Sequence, residues 1–127
     1  IGGILWEVMA GDHSRLIGNA IHWALGKRPD VEVSGRSVLD LCIREEADGL
    51  AVVLNNLTNP MMMKGPIREI YPVGRQEISI AIPAGTQFGK AELLVGKGEP
   101  ETRIDNGRLV LAVPSIATLE VVHVTWA

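Results

Sequence analysis

The sequence predicts a mainly β protein, an antiparallel β-sandwich of about eight or nine strands preceded by one N-terminal α-helix. Three observations predict this class. Apolar residues in the first quarter of the chain recur at the spacing of a helix. After Pro29 the apolar period changes from that of a helix to two residues. Turn residues then separate the alternating runs at intervals of roughly 8–12 residues, which is typical of sandwiches and barrels.

The N-terminal segment, residues 1–28, contains the predicted helix, which spans residues 13–25. Asp12 or Ser14 can cap its first turn, and Gly26 followed by Pro29 can end it. The helix carries one apolar stripe, made of Leu16, Ile17, Ala20, Ile21, Ala24 and Leu25. Such a stripe is not stable in water, so we expect it to pack on the sandwich or on a partner.

The predicted sandwich occupies residues 29–127 and begins with the short run "VEV". In "SVLDLCIREE" the residues Leu39, Leu41 and Ile43 share one face, and "EADG" connects this strand to the buried strand "GLAVVLNN" in a tight hairpin. Further strands are predicted in "IREIYPV", "EISIAI", "KAELLVG" and "LEVVHVTWA". The run "TRIDNGRLVLAV" predicts a hairpin, because Asp105-Asn106-Gly107 suits a turn with positive φ angles.

The composition excludes several functional classes. Of 127 residues, 46% are hydrophobic and 21% charged, which supports a packed core. The net charge of -3, one Tyr and one Phe argue against a nucleic-acid interface. No apolar run approaches the ~20 residues that span a bilayer, and no signal peptide is visible. The single cysteine, Cys42, excludes an internal disulfide, so we expect a cytoplasmic protein with a packed or half-buried thiol.

No catalytic residue, metal site or cofactor is predicted. His13 and His22 are nine residues apart, which places them on opposite sides of the helix and argues against a shared metal. Glu45, Glu46 and Asp48 cluster at a hairpin and suit a solvated turn better than a carboxylate pair of a glycosidase. A pocket joining Glu45 and Glu46 to a histidine would favour an enzyme instead.

The least ordinary stretch is "NNLTNPMMMKGPIREIYPVG". Its Asn56-Leu57-Thr58 matches the glycosylation triplet, but we expect these side chains to bind backbone groups where the strand ends. Methionine side chains adapt to irregular apolar surfaces, so the run between Pro60 and Pro66 predicts either a contact with a neighbouring domain or subunit, or a cap on its own sandwich. The interface candidates are Met61, Met62, Met63, Ile17, Ile21 and Trp23.

Trp6 and Trp126 are the candidates for sugar binding, because carbohydrate-binding modules often expose aromatic platforms. Packing in a core or an interface is the favoured alternative for both. In particular, Trp126 continues a strand face with Val122 and Val124.

Nearly the whole chain resembles the C-terminal region of family 42-type β-galactosidases and related hypothetical glycoside hydrolases. "HSRLIGNAIHWALG" resembles the last helix of their Rossmann-like trimerisation domain. "GLAVVLNNLTNPMMMKGPIREIYPVGRQEISIAIPAG" and "GRLVLAVPSIATLEVVHV" resemble the small β-sandwich that follows it. The resemblance implies a non-catalytic module, because the catalytic (β/α)₈ barrel of such enzymes needs about 250 residues.

The predicted function is therefore that of an accessory and assembly module, either cut from a large hydrolase or encoded alone. We expect it to contact a neighbouring domain or to form a homodimer. The alternative is a stand-alone carbohydrate-binding module with a sugar as its partner. An independent enzyme is the least favoured interpretation.

Overall fold

The computed structural model describes residues 11–58 and 69–127, which divide between Asp30 and Val31 into two compact units. The N-terminal unit contains helix α1, Gly11–Leu25. Asp12 lies in its first turn, where a carboxylate favours the positive end of the helix dipole. Gly26 follows with a φ of 62°, and its N–H donates to the carbonyl of His22 at 3.2 Å. The predicted helix is confirmed and begins two residues earlier than residue 13.

Eight strands form the described part of the second unit, which we call the sandwich unit. Their bounds are β1 (Val31–Ser34), β2 (Leu39–Glu46), β3 (Gly49–Asn56), β4 (Gln76–Ala81), β5 (Phe88–Leu93), β6 (Glu101–Asp105), β7 (Arg108–Val113) and β8 (Leu119–Trp126).

The strands form two four-stranded sheets. The first sheet has the order β1-β4-β7-β6, and the second has the order β2-β3-β8-β5. Every neighbouring pair is antiparallel. The predicted antiparallel sandwich with one preceding helix is therefore confirmed.

Two hairpins follow from their turn residues. Asn106 and Gly107 have φ angles of 48° and 75°, which confirms the predicted primed turn between β6 and β7. Between β2 and β3, Glu46 pairs with Gly49 across the turn. A Cβ on Gly49 would lie 2.2 Å from the carbonyl oxygen of Val124, so only glycine lets β8 approach β3 this closely.

The core lies between the two sheets. Alternation along β3, β4, β7 and β8 turns every second side chain inward, as the period of two predicts. The inward aliphatic side chains with at most 1% exposure are Val52, Leu54, Ile78, Ile80, Leu109, Leu111, Val113, Ile116, Val122 and Val124.

Two strand predictions need correction. The described part of "IREIYPV", residues 69–73, forms no strand and contributes only an isolated bridge between Val73 and Ile116. The strand predicted in "KAELLVG", residues 90–96, lies too far along the chain, because β5 begins at Phe88 and ends at Leu93. Leu93 is the last residue of β5 and still pairs with Val122, while its N–H donates to the carbonyl of Gly98 in the turn that leads to the next strand.

The sandwich has two distinct ends. At one end lie Val31, where the sandwich unit begins, and Ala127, whose N–H donates to the carbonyl of Gln87. At the opposite end β3 finishes and β8 begins, since Asn56 donates its N–H to the carbonyl of Thr118. The second end of the sandwich therefore lies opposite Val31 and Ala127, the first and last residues of the sandwich unit.

Candidate functional site

Five exposed apolar side chains lie at the second end, and we call this surface the apolar end. They are Ile70, Tyr71, Leu94, Val95 and Leu119. Their exposure runs from 37% for Leu119 to 59% for Ile70, so all five remain accessible to a partner. Leu94 reaches this end because its N–H donates to the carbonyl of Val121 at 2.9 Å.

A buried carboxylate fixes one side of the apolar end. Glu120 is only 3% exposed. Its Oε1 accepts the N–H groups of Val95 and Val121, both at 2.9 Å, and its Oε2 accepts the N–H of Gly96 at 2.8 Å. A Cβ on Gly96 would lie 2.7 Å from Oε2, so any other residue there would require the Glu120 carboxylate to shift. Glu120 thereby holds the loop that presents Leu94 and Val95.

A side-chain amide fixes the other side. Asn56 Nδ2 donates to the carbonyls of Tyr71 and Ala117 at 2.8 and 2.7 Å. Its Oδ1 accepts the N–H of Thr58 at 3.0 Å, while Thr58 Oγ1 accepts the N–H of Val38 at 3.1 Å. The predicted backbone-binding role of the Asn56-Leu57-Thr58 triplet is confirmed, and it ties Tyr71 to the end of β3.

Tyr71 also has a polar contact at the rim of this surface. Its hydroxyl donates to Oε2 of Glu69 at 2.9 Å. This hydrogen bond to the carboxylate raises the pKa of Tyr71, with burial adding to the same direction. The ring therefore combines an exposed apolar face with an oriented hydroxyl, as aromatic residues at protein contacts often do.

The predicted interface methionines, Met61, Met62 and Met63, lie outside the described residues, as does the sugar-binding candidate Trp6. Two described residues on either side of this stretch, Thr58 and Tyr71, belong to the second end. Thr58 is held there by Val38 and Asn56, and Tyr71 by Asn56. The interface role of the methionines stays a prediction.

The remaining sequence candidates lie on α1 and β8. Ile17 and Ile21 are one helical turn apart and share a face of α1, whereas Trp23 lies about 200° round the helix from Ile21. Ile21 and Trp23 are exposed. Trp126 is partly buried and packs against the hydrophobic core of the sandwich, which agrees with the core alternative, while its sugar-binding role stays a prediction.

A second exposed apolar surface runs along β2, at the edge of the second sheet. Leu41 and Ile43 pair with Leu54 and Val52, so they project on the core side of the sheet, as the shared face predicted. They are nevertheless 38% and 47% exposed, since no described strand lies beyond β2. Cys42, between them, projects on the other face and is half-buried, as predicted.

Charged side chains cover the outer face of the second sheet near the β2–β3 hairpin. His123 Nε2 lies 3.2 Å from Oε2 of Glu46, with 27% and 46% of the two side chains exposed. Lys90 donates to Glu92, and this hydrogen bond is the main cause of the lowered pKa of Glu92. Of the acidic residues predicted at this turn, the structure thus places Glu46 beside His123. Glu45 pairs with Leu50 and projects on the opposite face of the sheet.

The chemistry of this charged group is limited. A carboxylate beside an imidazole can orient a base, yet nucleophilic catalysis also needs a nucleophile within hydrogen-bond reach of that base. The partner of His123 on this face is Glu46 rather than a hydroxyl or thiol. Within residues 11–58 and 69–127, no three His, Cys, Asp or Glu side chains group as ligands of one metal ion. Among the same residues, no helix is long and apolar enough to cross a bilayer.

Comparison with known proteins supports the fold. The sequence matches no protein-family model and no curated protein. The structure is similar to that of alpha-L-fucosidase isoenzyme 2 from Paenibacillus thiaminolyticus, with a TM-score of 0.71 and 16% sequence identity. The match covers 86% of this chain and 17% of the fucosidase chain. The fold therefore also occurs as a small part of a much larger glycoside hydrolase.

This likeness supports a relation to glycoside hydrolases only at the level of fold. The matched protein is a fucosidase, so the comparison gives no support to the family 42 resemblance drawn from the sequence. At 16% identity no residue role can be transferred between the two chains.

Sequence reasoning missed the structural roles of two buried polar residues, Glu120 and Gln76. Gln76 is 1% exposed, accepts the hydroxyl of Ser37 at 2.9 Å and donates to the carbonyl of Gly74 at 2.9 Å. Each lies at the start of a strand, where a polar residue reads as solvent-facing. Their partners include loop residues about 25 to 39 positions away along the chain, and no local pattern reveals such contacts.

Proposed function

We propose that this chain is a non-catalytic accessory and assembly module, related in fold to a small domain of a larger glycoside hydrolase, and that it acts by contact between protein surfaces. The observation that carries the proposal is the fold comparison. Most of this chain matches less than a fifth of the fucosidase chain. A unit of this size within a larger enzyme is typically an accessory domain.

The polar interior supports a structural role. The buried polar residues Gln76 and Glu120 are both hydrogen-bonded within the sandwich. Catalytic groups more often lie in a cleft with strongly perturbed pKa values. Here the lowered pKa of Glu77 has a surface cause, the hydrogen bond from Arg103, and both side chains are largely exposed.

The apolar end supports a contact role. Apolar side chains scattered over a surface need no explanation, but a group of them at one site favours a protein interface. Leu94, Val95 and Tyr71 are held there by Glu120 and Asn56, so the surface is preorganised and loses little conformational entropy on binding. In a larger protein, this end would meet a neighbouring domain.

A glycoside hydrolysis assay tests the non-catalytic part of the proposal. The purified chain, incubated with nitrophenyl α-L-fucosides and β-galactosides, should release nitrophenol no faster than buffer. Hydrolysis that disappears in His123→Ala and Glu46→Gln, with unchanged folding, would refute the proposal and establish the Glu46–His123 pair as catalytic. Glu101→Gln is the matched control, because it changes a carboxylate that is 79% exposed and lies in the first sheet, away from that pair.

A further inference from the structure

We propose that two copies of this chain associate through β2, antiparallel and about a two-fold axis at Cys42, so that the second sheet continues from one copy into the other. The inference rests on the proposed contact role and names its partner, a second copy. It also names the surface, which is the edge of β2 that no described strand covers and which we call the free edge. This edge is separate from the apolar end.

The free edge has a defined set of hydrogen-bonding groups. The N–H of Leu57 donates to the carbonyl of Val38 at 2.9 Å, next to the pair formed by Leu39 and Asn56. In an antiparallel ladder, alternate residues direct both backbone groups toward the neighbouring strand. The even-numbered residues of β2 therefore bond to β3, and the odd-numbered ones, Leu39, Leu41, Ile43 and Glu45, direct their N–H and C=O groups outward.

An exposed edge of this length is a template for another strand. β2 has eight residues, and natural proteins usually protect such edges with charges, proline or bulges. The pairing between β2 and β3 is regular over all eight positions, so no bulge interrupts it. Leu41 and Ile43 are exposed beside this edge, where a second strand would cover them.

The side chains select one register. A two-fold pairing requires outward groups to meet outward groups, so the axis must pass through a residue of β2. With the axis at Cys42, Asp40 of each copy lies opposite Arg44 of the other, and Leu41 lies opposite Ile43. An axis at Asp40 or Arg44 would set like charges opposite each other, and an axis at Ile43 would set Asp40 opposite Glu46. An axis at Leu41 would set Asp40 opposite Cys42 and leave this carboxylate without a facing charge. Opposite charges in facing positions stabilise a strand pair and like charges destabilise it.

In the same register, a disulfide between the two Cys42 residues would report the contact between the two copies. At the axis the two cysteines form a pair without mutual backbone hydrogen bonds, with Cα atoms about 4.5 Å apart. That separation lies within the range compatible with a disulfide, about 4.4–6.8 Å. Cys42 is the only cysteine of the chain, so a covalent dimer reports this contact alone.

Oxidation with copper phenanthroline in air, at about 50 μM protein, should give a covalent dimer that reductant reverses and that Cys42→Ser abolishes. The register is tested in the Cys42→Ser background with Asp40→Cys and Arg44→Cys chains. The two mixed together should cross-link rapidly, and each alone should cross-link at least roughly tenfold more slowly, because positions 40 and 44 face each other rather than themselves. Equal rates in all three samples would overturn the register.

A charge exchange tests the contact without a thiol. Asp40→Arg or Arg44→Asp places like charges in both facing positions and should weaken dimerisation roughly tenfold in sedimentation experiments. The double variant should restore it, and no general effect on folding explains such a rescue. Association that all three variants leave unchanged would overturn this inference while leaving the contact role to the apolar end. The proposed function has a different test, because it would be refuted by hydrolysis of the nitrophenyl glycosides and not by the absence of this dimer.

Discussion

Removing the carboxylate of Glu120 should strongly destabilise the sandwich. Glu120→Ala leaves the N–H groups of Val95, Gly96 and Val121 without their acceptor. Hydrogen bonds to a charged group contribute about 1.5–3 kcal/mol each, but Val95 and Gly96 lie in an exposed loop where water can replace the lost acceptor. We therefore expect a loss of about 2–4 kcal/mol, mainly from the strand position Val121 and from the space left beside it.

Thermal unfolding followed by circular dichroism measures this loss. For a domain of this size, about 3 kcal/mol lowers the midpoint by roughly 10–15 °C. Glu99→Ala is the control, because its side chain is 72% exposed and its ion pair with Lys90 is at 3.5 Å, so its midpoint should change by less than about 2 °C. Equal midpoints for the two variants would refute the role assigned to Glu120.

Three further predictions concern stability. Gly49→Ala places a Cβ 2.2 Å from a backbone oxygen of β8 and should cost about 1–3 kcal/mol in urea unfolding, whereas Gly74→Ala, with open space around it, should be nearly neutral. Asn56→Ala removes the donor to the carbonyls of Tyr71 and Ala117 and should cost about 1–3 kcal/mol; an unchanged urea midpoint would contradict the role of the triplet. Arg103 lowers the pKa of Glu77, so its contribution is present above the ordinary pKa of a glutamate and is lost as pH falls through the lower folded value. Arg103→Met should therefore lower the melting midpoint at neutral pH and not in strong acid, and an equal effect in both would contradict the linkage.

The fold was predictable because its signals are local. Alternation predicted the inward faces of β4 and β8, and the turn at Asn106 and Gly107 predicted the hairpin between β6 and β7. The helix stop at Gly26 was likewise a local signal. Such features depend on neighbours within a few residues, which the sequence displays directly.

The candidate site was less predictable because its contacts join distant residues. Alternation predicted that Leu41 and Ile43 share a face, but only the pairing order of the strands makes β2 an edge strand and leaves both residues exposed. The apolar end likewise gathers side chains from two loops and from the start of β8, which only the folded sandwich brings together. In the sequence, Glu120 looks like an ordinary charged residue near the start of a strand. Its burial depends on the loop of Val95 and Gly96, which folds over it.

The most direct test of a function by surface contact is sedimentation velocity of the unmodified chain under reducing conditions, from about 1 to 100 μM. The account predicts a weight-average sedimentation coefficient that rises with concentration toward that of two chains, as expected of a modest edge interface with a micromolar dissociation constant, on the order of 10 μM. The Asp40→Arg chain, with a dissociation constant of about 100 μM, should stay close to the monomer value up to about 10 μM and rise only toward the top of that range. A coefficient independent of concentration, at the value of one chain for both proteins, would contradict the account of self-assembly.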